Sequence, residues 1–148
     1  MARFVELDSI FHQPNWEPLP VPQLRAAVAA IVAADAWVID GNYSAVRDLI
    51  WARADTVVFF DLPRRMVMRQ VGWRTARRAT TGAELWNGNR ESWRNALALH
   101  RDESILRWAW MQHTVYRERF RAAMTDPQWS HIDFVRITSR RAGPEAAD

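Results

Sequence analysis

The chain contains no cysteine and no lysine, and only five of its 148 residues are glycine. Without cysteine there is neither a disulfide framework nor a thiolate metal site. The histidines (His12, His100, His113 and His131) show no metal-ligand spacing, so no metal is assigned to protein side chains alone. Long apolar runs are also missing. The longest small-apolar run, Ala26 to Ala34, falls far short of the roughly 20 residues a membrane span needs. The opening MARFVELD has no signal-peptide pattern, so a cytoplasmic protein without a membrane partner is expected.

What is present is a normal globular composition, 49% hydrophobic and 25% charged, which predicts one compact domain over residues 1–148. Because lysine is absent, all 20 basic residues are arginine. They are unevenly placed: residues 64–121 carry 13 arginines against five acids, whereas residues 1–63 carry four against eight. Such a basic block can be a solvated helical face, a nucleic-acid surface or a clamp for a polyphosphate. The planar guanidinium, which grips phosphate oxygens in pairs, suits the last two.

The order of elements predicts an α/β fold, a parallel sheet flanked by helices. Phe4–Leu7 reads as a strand ending at Asp8, and a proline-rich loop leads to a helix from Gln23 to Ala34. Trp37–Ile39 has the β-branched and aromatic content of a strand buried on both faces. A short helix over Ala45–Ala52 precedes a strand at Thr56–Phe60, and Pro63 opens a helix to Arg78. After a polar segment, a long helix over Glu91–Met124 and a strand at His131–Ile137 complete the chain. Strands alternating with helices indicate βαβ units.

Asp8, Asp40 and Asp61 each fall at the end of a predicted strand. In open α/β sheets ligands gather at that edge. Carboxylates there, near a basic clamp, suit magnesium-dependent phosphoryl transfer, in which acids hold the metal's waters and arginines neutralise the moving group. Asp61 also suits a helix cap before Leu62-Pro63 and stays outside the catalytic set. For Asp40-Gly41 the competing reading is a simple turn. Trp86, Trp93, Trp108 and Trp110 suggest base stacking, yet Trp93, Leu97, Trp108, Met111 and Val115 lie near one stripe of the long helix and read as core.

The series VELDSIFHQPNWEPLP, WVIDGNYS, ADTVVFFDLPRRMVMRQVGWRT and ELWNGNRESW resembles the adenylate-kinase-like P-loop proteins often labelled topology-modulation proteins, over residues 4–140. The resemblance implies that Asp40 orders magnesium through water, that Gly41 lets backbone approach phosphate, and that Asp8 orients the acceptor. Asn42 and Tyr43 fall in the acceptor-binding stretch, with Ser44 where adenylate kinases carry a phosphate-binding arginine. It also implies a lid over residues 74–94, in which Arg74, Arg77, Arg78, Arg90 and Arg94 reach the phosphates of ATP. A P-loop kinase further needs G-x-x-x-x-G-K-[ST], whose amides and lysine cradle those phosphates. These residues contain no such loop. The first, central strand and its loop are therefore expected upstream of Asp8, with Met1 an internal methionine. Two functions follow: phosphoryl transfer from ATP to a small acceptor when that front end is complete, with the chain inactive as given, or a non-catalytic, nucleic-acid-associated regulator or degenerate binding protein that uses the basic middle.

Overall fold

The computed structural model describes residues 2–82, 84–89, 105–139 and 145–146. They form a mixed α/β arrangement of short parallel strands and helices in two compact units. One unit runs from the N-terminus to Ala54 and includes Glu84–Asn89. The other comprises Asp55–Ala83 and the residues from Arg90 onward.

In the first unit, β1 (Arg3–Glu6) pairs in parallel with β2 (Trp37–Asp40), Phe4 opposite Val38 and Glu6 opposite Asp40. Between them lie α1 (Leu7–Phe11) and α2 (Val21–Val32). Pro22 fits the first turn of α2, where no amide partner is required. Leu24, Val28, Ile31 and Val32 recur on one helical face and are all buried. Leu24, Val28 and Val32 meet Leu7 and Val46 in the core, joined at its margin by Ile10, Phe11, Trp37, Ile39 and Leu49. Each fully buried leucine or valine contributes about 2 kcal/mol. A short α3 (Arg47–Trp51) closes this unit, and Arg25 on α2 forms a two-point ion pair with Asp48, 2.8 Å at each oxygen.

In the second unit, β3 (Thr56–Phe60) pairs in parallel with β4 (Asp133–Ile137), and β4 pairs in antiparallel with the short β5 (Glu145–Ala146). Helices α4 (Arg64–Thr81) and α5 (Ile105–Met124) pack on each other. Gly82, left-handed at φ 60°, ends α4. Asp61, just past β3, is a buried carboxylate held by Arg136 at 2.6 and 2.9 Å and by Arg117, with Arg121 at 3.8 Å. Burial raises its carboxyl, but hydrogen bonds from Arg136 and Arg117, together with their charges, outweigh that and hold it below the ordinary range.

Several sequence expectations are corrected here. The first strand ends at Glu6, two residues early, because Leu7 turns inward as the fully buried start of α1, and this places Asp8 in a helical first turn. Asp61 is no helix cap; Pro63 holds the cap position and Asp61 carries the arginine cluster instead. The strands are not buried on both faces. Val38 and its cross-strand neighbour Phe4 (61% exposed) face solvent, as do Val58 and Phe60 (68%), because no described element covers those faces. On α5, Met111 and Val115 are exposed, while Ala109, His113, Arg117, Phe120 and Ala123 mark the inward face. That face must meet the carbonyl of Leu62 and the carboxylate of Asp61, so polar His113 and Arg117 line it, and apolar periodicity alone reads the wrong stripe. Trp93, Leu97 and the side chain of Trp108 lie outside what the structure describes.

Gly41 answers why β2 ends in Asp-Gly. Its φ is +129°, and a Cβ there would sit 2.8 Å from the Cβ of Leu7, whose side chain is fully buried. Gly41→Ala combines a strained backbone with a clash that neither neighbour can relieve, so a loss of about 2 kcal/mol is expected. Urea unfolding monitored by tryptophan fluorescence checks this, and an unchanged midpoint would contradict it.

Candidate functional site

The carboxyl ends of β1 and β2 converge with α1 and the segment Trp86–Asn89, all within the first unit. Asp8 stands in the first turn of α1. Its Oδ1 accepts a hydrogen bond from the Tyr43 hydroxyl at 2.5 Å, a short, charge-assisted contact. The same hydroxyl lies 3.5 Å from Nε2 of His12, at the end of α1. The His12 Nδ1 is buried without a partner. An unpaired N–H costs more than an unpaired lone pair, so the tautomer carrying its proton on Nε2, facing Tyr43, is favoured.

Aromatic rings enclose His12. Phe11 and Trp16 meet it edge-on at 5.1 and 5.2 Å between centroids, and Trp86 stacks on it at 6.2 Å. Burial lowers the imidazole's affinity for a proton, the Asp8 charge raises it, and burial prevails, leaving the pKa below its ordinary value. His12 is therefore neutral at pH 7, the state in which it can exchange hydrogen bonds with a tyrosine and a ligand.

The segment Trp86–Asn89 is fixed to this corner by its side chains. The Trp86 indole donates to Glu6 at 2.5 Å, and Asn87 Nδ2 donates to the carbonyls of Ser9 and His12. Asn89, only 4% exposed, donates to the Gln13 carbonyl and accepts from the Trp16 amide, each at 2.9 Å. Trp16 has φ +62°, a conformation bulky residues avoid, and that amide contact helps to hold it. None of His12, Glu6, Asn87 or Asn89 stands out in the sequence as a site residue. Their signal is the repeated pairing of asparagine with tryptophan in two turns, PNW and WNG, which only the fold brings side by side.

Of the expected site residues, Asp8, Asp40, Gly41, Asn42 and Tyr43 lie in this unit. Asp40 is exposed at the end of β2, with no side-chain hydrogen bond or ion pair to a described residue. Asn42 is turned to α3, its Oδ1 accepting from Arg47 Nε at 2.9 Å. Arg74, Arg77 and Arg78 lie on α4 in the other unit, and Arg90 and Arg94 lie outside the described residues. No group of three or more His, Cys, Asp or Glu able to hold a metal occurs among the described residues, nor is any described helix long and apolar enough to cross a membrane. No protein-family model matches the chain, and neither a curated protein nor a solved structure matches it.

The lowered His12 pKa carries a pH dependence. The unfolded chain binds this proton more readily than the folded one, so stability is full above the ordinary value of 6.5 and falls as pH drops below it. Unfolding midpoints measured between about pH 7.5 and about pH 5.5 should decline by this route, and His12→Phe should flatten the decline. An identical slope in the variant would contradict the assignment.

Proposed function

We propose that the chain is a nucleotide-kinase-like domain presenting the acceptor side of an ATP-dependent phosphoryl transfer to a small acceptor. The observation that carries this reading is the Asp8 carboxylate, held at 2.5 Å by Tyr43 beside the Asp40-Gly41 end of a parallel strand pair. The resemblance of the strand-end motifs to adenylate-kinase-like P-loop proteins supports it. So does the pairing of β2 and β3, each along one edge only among the described residues, which leaves backbone groups for a further strand.

In this reading Asp8 orients the acceptor by accepting a hydrogen bond from its hydroxyl, and Tyr43 fixes the carboxylate. Neutral His12 lies within reach of the same hydroxyl network. Gly41 leaves the backbone free of a side chain at the strand end. Asp40 fits magnesium held through water, since that ion keeps several waters and needs only one or two carboxylates. Bound magnesium would supply neutralising charge to phosphate oxygens. A polyphosphate does not fit these residues alone, because they contain neither lysine nor a glycine-rich loop. The 148 residues by themselves are accordingly inactive, and the arginines of α4 offer only a screened attraction.

Calorimetry with ATP and magnesium tests this on two proteins: residues 1–148, and a version extended in frame at its N-terminus to include a strand and a G-x-x-x-x-G-K-[ST] loop. The first should bind weakly or not at all, and the second should bind. Phosphotransfer by the extended protein, screened over nucleoside monophosphates and small hydroxyl compounds, should fall about 100-fold in Asp40→Asn, with ATP affinity changed less. Tight ATP binding by residues 1–148, or an extended protein that binds ATP and phosphorylates nothing, would overturn the reading.

A further inference from the structure

Helix α4 reads RRMVMRQVGWRTARRATT, with six arginines and no acid in its length. Positions 65, 69, 73 and 77 fall four apart and therefore on one row of the helix surface. All four are exposed: Arg65, Arg69, Trp73 and Arg77. Trp73 is 73% exposed, the most exposed large apolar side chain of the described residues, and Arg74 stands exposed beside it. Arg65, Arg69, Arg74 and Arg77 make no ion pair or hydrogen bond with a described residue. By contrast Arg64 on the neighbouring face is engaged, donating to Thr114 at 2.6 Å and lying over the Trp110 ring.

The row is thus about 18 Å of unneutralised positive charge, interrupted once by a protruding indole. Beside it Val67, Gln70 and Val71 border an open concavity together with Arg69, Trp73 and Arg74. Like charges along one helix row repel and weaken the helix, and among the described residues no acid pairs with these arginines, so an anionic partner would relieve them.

We propose that this face of α4 binds single-stranded nucleic acid, the arginines tracking phosphates and Trp73 stacking on an unpaired base. The indole selects the partner. A duplex offers phosphates but keeps its bases stacked, which leaves an exposed tryptophan without a role, whereas single strands are held by a positive groove plus aromatic platforms. An anionic membrane would require a broad apolar face. On α4 the other large apolar side chains, Met66, Val67, Met68 and Val71, are half-buried, leaving Trp73 alone. The proposal needs none of Asp8, Asp40 or Tyr43, although it shares Arg74 and Arg77 with the lid that the resemblance implies.

Fluorescence anisotropy of residues 1–148 with labelled oligothymidylate or oligouridylate of about 12 nucleotides tests it. With four phosphate-engaged arginines the log–log salt slope should be about −2.8, a loss of about 50-fold in affinity between about 50 and about 200 mM salt. Trp73→Ala should weaken binding about ten-fold with the slope unchanged, and Trp73→Phe should retain most of the affinity. The combined Arg65→Gln, Arg69→Gln and Arg77→Gln variant should flatten the slope to about −0.7. All these positions are exposed, and circular dichroism verifies that each variant is folded. Equal affinity of Trp73→Ala and the native protein, equal or tighter binding of a duplex of the same length, capture by phosphatidylserine vesicles with no oligonucleotide binding, or no binding at about 50 mM salt would each overturn the proposal.

Discussion

The close approach of Gly41 to Leu7 is the constraint on which the first unit depends. A parallel strand must hand its chain onward beside the start of the preceding helix. Here the Leu7 side chain lies so close to the Gly41 backbone that no Cβ fits at position 41. This contact seats Leu7 in the core and turns α1 so that Asp8, one residue on, stands at the strand ends. It also sets the path of residues 41–43, from which Tyr43 reaches back 2.5 Å to that carboxylate. A steric constraint on one glycine thereby becomes the orientation of an acid. The second unit adds charge to its apolar contacts: beside the stacked Phe59 and Phe120, buried Asp61 is held by arginines from both α5 and β4.

Both sheets are unusually open. Strands β2 and β3 have the apolar content that parallel sheets use when helices cover both faces, yet each pairs on one edge among the described residues, and Phe4, Val38, Val58 and Phe60 remain exposed. Unpaired edges and uncovered apolar faces favour association with further strands, whether native or aberrant.

Much of the element order was legible in the sequence because it rests on local signals. Thr56–Phe60 coincides with β3 residue for residue, whereas α2 begins at Val21, two residues before the expected Gln23, and α4 runs three residues past Arg78 to Thr81. The failures arise where a distant partner decides. Leu7 alternates correctly for a strand but is drawn into a helix by the core it fills. Val38 and Phe60 look like buried residues and are not, since burial depends on a covering layer that no single strand encodes. The inward stripe of α5 escaped apolar periodicity because its partner is a buried ion pair. Asp40 and Gly41 lie at the end of β2 where the sequence placed them, and Asp8, expected at a strand end, falls two residues beyond β1 in α1. The roles of His12, Asn87 and Asn89 were not legible, because the contacts that join the PNW and WNG turns cross more than 70 residues.

The central claim is that Asp8 and Tyr43 form one preorganised unit at the strand ends. A double-mutant cycle on the stability of Asp8→Asn, Tyr43→Phe and the pair measures it directly. A hydrogen bond to a charged acceptor in this partly buried corner should give a coupling of about 1.5–3 kcal/mol. Effects that add to within about 0.5 kcal/mol would show that the two side chains do not act together, and the acceptor-side reading of this corner would fall with them.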